Sequence, residues 1–171
     1  MTTGTKTTRH ATAADLGTGY SGFTASPKLA GNLQRVLVDL IALHVNAKQA
    51  HWNVVGPNFR DTHLLLDEIT AEAREHADTI AERLRALDAV PDGRPHTVAA
   101  DTSLPQLPAG EQSTAKIVDL MVEQLRGTVA TARAVHDEVD AEDPPTADLL
   151  HALIDGLEKL AWMTAAENRG Q

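Results

Sequence analysis

Four long helices in an all-α bundle, with one long crossover between the second and third, are what this sequence predicts. Three observations carry that reading. Of the 171 residues 42% are hydrophobic but only 3% aromatic. The core must therefore be aliphatic, which suits helices packed on helices better than a sheet of aromatic and β-branched residues. Apolar residues recur at three- and four-residue spacing in four separate stretches, the mark of amphipathic helices. Those stretches are joined by a short, a long and a short connection. A chain of this length can bury one core without covalent staples.

The elements follow in order. Residues 1–26 hold eight Thr and four Gly with little aliphatic periodicity, and they predict a flexible N-terminal tail. Ser26-Pro27 is a helix start, Ser as N-cap and Pro in the first turn. Leu29, Leu33, Val36, Leu37, Leu40, Ile41 and Leu43 then form one stripe, on a helix expected to run to about Val55. Gly56-Pro57 stops it, and Asn58 is expected to cap a second helix from Phe59 to about Leu87. Four prolines between residues 90 and 112 mark the crossover, with room for a short helix. Ser113 opens a third helix through Ile117, Leu120, Met121, Leu125, Val129, Ala132 and Val135. Pro144-Pro145-Thr146 is expected to separate it from a fourth, built on Leu149, Leu150, Leu153, Ile154, Leu157 and Leu160, and residues 169–171 form a short C-terminal tail. Short, long, short is the connectivity of ferritin-like bundles.

Composition narrows the chemistry. With no cysteine, disulfides, thiolate metal sites and a Cys nucleophile are excluded, and any metal must be held by His, Asp and Glu. A formal charge of −9 argues against a broad basic face for nucleic acid. No apolar run reaches the length of a signal peptide or a membrane span, so a cytoplasmic protein is expected.

Di-iron bundles of this connectivity carry Glu-x-x-His on two helices. None of the eight histidines has Glu three residues before it, and the nearest pattern is Asp148-Leu-Leu-His151. The intra-bundle centre therefore lacks its ligands. The stretch QAHWNVVGPNFRDTHLLLDE, residues 49–68, instead gathers His51, His63, Asp67 and Glu68 at a corner between helices. On a helical wheel with His63 at the origin, Asp67, Asp78 and Glu82 fall within about 100°, away from the stripe of Leu66, Ile69, Ala73, Ile80, Leu84 and Leu87. Asp67 and Asp78 are nevertheless roughly 16 Å apart along the axis. If two copies of this helix pack antiparallel about a two-fold axis, His63 and Asp67 of one face Asp78 and Glu82 of the other, and His51 can complete each nest. By pattern alone the alternative stays open that these are solvated acids and corner histidines.

His51-Trp-Asn-Val-x-Gly-x-Asn-Phe59, followed by His63, Asp67 and Glu68, resembles the signature of Dps proteins, the mini-ferritins known as DNA-binding proteins from starved cells. The likeness extends to Asp78-Thr-Ile-Ala-Glu82-Arg83, to Thr146-Ala-Asp148-Leu-Leu and to Leu157-Glu-Lys-x-x-Trp162, covering about residues 27–168. Asp-Ala-Val-Pro-Asp-Gly at 88–93 looks closest to a second type of actinobacterial Dps. The resemblance implies inter-subunit ferroxidase ligands at His51, His63 and Asp67 of one subunit, with Asp78 and Glu82 from its two-fold mate. It implies a hollow dodecamer that oxidises ferrous iron, preferably with hydrogen peroxide, and stores ferric oxide, protecting DNA under oxidative stress and in stationary phase. Trp52 reads either as a sink for stray oxidising equivalents or as a packed interface indole. Asp143 and Asp148 are implied at three-fold pores that draw ferrous ions inward. Lys6 and Arg9 are the tail cations through which weak, salt-dependent DNA contact and nucleoid association would act. The alternative reading is a nucleoid-compacting structural protein with little iron chemistry.

Overall fold

The structure, a computed structural model, describes residues 22–169. Helix α1 spans Pro27–Asn53, α2 Phe59–Ala86, a short α3 Pro95–Asp101, α4 Thr114–Glu142 and α5 Pro144–Ala166. The long helices form a square: α1 lies against α2, α4 against α5, and the pairs join through α1–α4 and α2–α5. The all-α bundle with one long crossover is present, and the crossover carries the short helix α3. Among the described residues no helix is long and apolar enough to cross a membrane.

The stripes read from the sequence are the core. Leu33, Val36, Leu40 and Leu43 of α1, Ile69 and Ala73 of α2, Met121, Leu125 and Ala132 of α4, and Leu150, Leu153 and Leu157 of α5 are fully buried. Each large aliphatic side chain contributes about 1.5–3 kcal/mol by leaving water. Ser26 Oγ accepts from Leu29 N at 3.1 Å and Ser113 Oγ from Lys116 N at 3.3 Å, so both serines cap as expected.

Polar ties hold the crossover across the bundle. Asp39 of α1 is 2% exposed, and its carboxylate accepts from Thr102 Oγ1, Ser103 N, Ser103 Oγ and Thr131 Oγ1 at 2.6–2.8 Å. That network joins α1, the crossover and α4, and it offsets the cost of burying a carboxylate without a cation. Gly127 of α4 lets the crossover lie close, because a Cβ there would meet Leu104 Cδ2 at 2.8 Å.

Three local expectations are corrected. α1 stops at Asn53 rather than Val55, because Val54 and Val55 pair in parallel with Gln112 and Ser113 as a two-residue bridge, β1 with β2. The pairing partner lies 58 residues away, beyond any local pattern. Asn58 precedes α2 but makes no capping bond with its side chain; its φ of 55° is left-handed and turns the chain after Gly56, itself at φ 122°. Pro144 and Pro145 do not separate α4 from α5. They form the first turn of α5, where a missing N–H costs nothing, and Asp143 alone divides the helices.

Candidate metal centre

His51 ends α1 and His63 lies one turn into α2, and the reversal at Gly56-Pro57 lays one ring on the other. Their centroids are 3.5 Å apart at 25°, a stacked pair. His51 Nδ1 donates to the His63 carbonyl at 2.9 Å, and His63 Nδ1 donates to the His51 carbonyl at 3.0 Å. A carbonyl can only accept, so both Nδ1 atoms carry hydrogen. Each ring thus spends Nδ1 on a backbone carbonyl and keeps Nε2 as the nitrogen left for a metal, the arrangement a metal-binding imidazole needs. Asp67 Oδ1 lies 3.4 Å from His51 Nδ1, too far to displace the carbonyl.

Asp67 is held by Lys48 of α1, whose Nζ is 2.5 Å from Oδ1. That hydrogen bond, with smaller contributions from the charges of His51, Lys48 and His63, keeps the carboxyl below its usual range. Phe59 flanks the pair, its ring 5.0 Å from His63. Trp52 follows His51 in the chain and is 68% exposed.

Asp67 and Asp78 both line an open groove of about 850 Å³ along α2, with Lys48, Arg74 and Glu75 as its other charged residues. Glu82 is exposed beyond it. Asp67 and Asp78 remain about 16 Å apart along one straight helix, and among the described residues no three His, Asp or Glu side chains of one chain form a ligand set. One protomer thus brings together His51, His63 and Asp67 and leaves Asp78 and Glu82 at the other end of α2.

Two groups at this face escaped the sequence reading. Lys48 and His44 share α1's inner face with His51, at spacings of three and seven residues, so a wheel drawn on α1 would have found them. Nδ1 of His44 is buried with no hydrogen-bond partner. Burial, and secondarily the Arg74 charge, pushes its pKa below the usual 6.5.

The remaining candidates lie elsewhere. Asp143 is 8% exposed; Arg83 Nη2 donates to it at 2.7 Å, and Thr146 Oγ1 donates to the same oxygen. Asp148 is exposed, with Oδ1 3.7 Å from His151 Nδ1. Lys6 and Arg9 lie outside the described residues.

Comparison with known proteins agrees with this architecture. The family model for a ferritin-like domain matches residues 30–169. The DNA protection during starvation protein of Brevibacillus brevis is 37% identical over 137 residues, which cover 78% of this chain and 90% of that one. Among solved structures, Dps from Microbacterium arborescens in its high iron form superposes with a TM-score of 0.78 at 36% identity, covering 85% of this chain and 97% of that one. Dps92 from Deinococcus radiodurans gives 0.80 at 32% identity, with 84% and 87% covered. With its ferritin-like domain, its aliphatic four-helix core and relatives that match over most of both lengths, this chain belongs to the Dps family.

Proposed function

We propose that this protein oxidises ferrous iron at sites shared between two copies of the chain and stores the ferric product inside a hollow homododecamer. The observation that carries this reading is the imidazole pair. Each ring spends its Nδ1 hydrogen on the other's backbone and leaves Nε2 unspent, while the carboxylates that would finish a site sit at the far end of α2. A two-fold mate running antiparallel along α2 brings its Asp78 and Glu82 to His51, His63 and Asp67. Two imidazoles and three carboxylates suit ferrous iron and leave positions for oxidant.

Hydrogen peroxide is the preferred oxidant in this reading. It accepts one electron from each of two ferrous ions, its O–O bond breaks, and hydrolysis to ferric oxyhydroxide releases protons to water. Iron and peroxide are consumed together, so radicals do not form near DNA, and protection of the kind named in the relatives needs no direct contact. Trp52 stands beside His51 to take up stray oxidising equivalents. Asp148, with Asp143 behind it, guides ferrous ions through the pores. Lys6 and Arg9 add weak DNA contact in the cytoplasm, beside the nucleoid. Among the described residues the compacting alternative has no comparable feature in its favour.

A complementation experiment tests the sharing. H51A/H63A and D78N/E82Q should each oxidise iron at least about tenfold more slowly than wild type. Mixed assemblies refolded or co-expressed from equal amounts of both chains should regain about a quarter of the wild-type sites, because a mixed dimer holds one whole site and one doubly broken one. Stopped-flow absorbance of the ferric product reads the rate. No recovery on mixing would overturn the shared site.

A further inference from the structure

Between α4 and α5, on faces that the imidazole pair does not use, lies a second gathering of ligand-type groups. A cleft of about 380 Å³ is lined by Arg133, His136, Asp137, His151, Asp155 and Glu158. His136 comes from α4 and His151 from α5, and their ring centroids are 4.4 Å apart. His136 Nδ1 is 3.2 Å from Asp137 Oδ1, and His151 Nδ1 is 3.7 Å from Asp148 Oδ1. A carboxylate on the Nδ1 side favours hydrogen there and frees Nε2, the outer arrangement found around metal-binding imidazoles.

His136 Nε2 is buried and has no hydrogen-bond partner. A buried polar atom left unpaired costs free energy, and such atoms in a native fold call for an explanation. Charge in the cleft favours a cation. Arg133 is engaged by Glu158, with Nε at 3.1 Å and Nη2 at 2.5 Å. Asp155 lines the cleft one helical turn beyond His151, on the same face.

We propose that His136, His151 and Asp155 bind a divalent transition-metal ion of the borderline class, Zn²⁺ or Fe²⁺, with Asp137 and Asp148 orienting the two imidazoles. Imidazole donors exclude the hard ions, which take oxygen alone. His136 is the fixed ligand. In the present conformation the three groups do not form a ligand set; the rings already touch, and binding requires the His151 side chain, 62% exposed, to turn so that its Nε2 meets one point with His136 Nε2 and Asp155.

Zinc titration by calorimetry tests this in the full-length assembled protein carrying H51A/H63A, which removes the imidazoles of the first site. About one Zn²⁺ per chain should bind at the cleft. H151Q, a change at an exposed side chain that spares the fold, should weaken that binding at least about tenfold, and D155N should weaken it by a similar factor. H136Q/H151Q together should remove it. Zinc affinity and stoichiometry unchanged in H151Q and in H136Q/H151Q would overturn the proposal, and circular dichroism melts confirm that each variant is folded. Because His51 and His63 are already absent, the result does not depend on the ferroxidase reading.

Discussion

The two ends of the bundle treat their polar residues in opposite ways. Where α1 begins and α4 passes into α5 at Asp143, the side chains of Ser26, Glu138, Glu142, Arg83 and Asp143 close on their neighbours. Glu142 accepts from Ser26 N and Oγ at 2.8 and 2.7 Å, Glu138 holds Asn32 and Lys28 at 2.9 Å, and Arg83 bonds Asp143 and Thr146 at 2.7 Å. Where α1 ends and α2 begins, His51 and His63 satisfy only half of each ring. A closed polar cluster contributes to stability, because its donors and acceptors are paired within one chain. A half-satisfied one supplies binding capacity.

The largest expected difference between the ends is in activity. H51A/H63A should slow iron oxidation at least about tenfold in protein that remains folded, while leaving the paired groups at the closed end in place. D143A should do the reverse. It strands the Arg83 guanidinium and removes the acceptor of Thr146, costing about 2 kcal/mol of stability, the partial exposure of Arg83 tempering the cost of a broken buried pair. Denaturant unfolding measures it, and oxidation by protein that remains folded should fall far less than in H51A/H63A, because Asp143 lies outside the proposed ligand set. Comparable rate losses in both variants would erase the functional contrast.

S26A is a smaller step at the closed end. It removes the cap on Leu29 N and the bond to Glu142, and it should cost about 1 kcal/mol, read from the same unfolding curves. The smallest effect concerns pH. His44 has a folded pKa below 6.5, pushed down mainly by burial and then by Arg74. The unfolded chain therefore binds more protons, and stability falls as pH drops below about 6.5 toward the folded value. H44Q should melt with a shallower acid dependence between pH 7 and 5.5. Equal slopes would show that His44 titrates alike in both states.

Much of this was legible in the sequence. The four aliphatic stripes gave the helices, since a 3.6-residue period depends on neighbours in the chain alone. The wheel on α2 already put His63, Asp67, Asp78 and Glu82 on one side, and the helical rise separated Asp67 from Asp78 by more than an ion can bridge. The exchange of hydrogen bonds between His51 and His63 was not legible. It depends on how the turn at Gly56-Pro57 folds α2 back along α1. The pairing of Lys48 with Asp67 was not legible either, because the two lie 19 residues apart on different helices. The tie between Asp143 and Arg83 was equally out of reach, its partners lying 60 residues apart on different helices.

What the sequence by itself determined is the set of helices, the aliphatic core and the donor types available to a metal. Those follow from side-chain chemistry and local spacing. Which polar groups are closed and which remain open was decided only by the tertiary structure. A hydrogen bond needs its partner within about 3 Å, and only the packing of distant helices sets that distance.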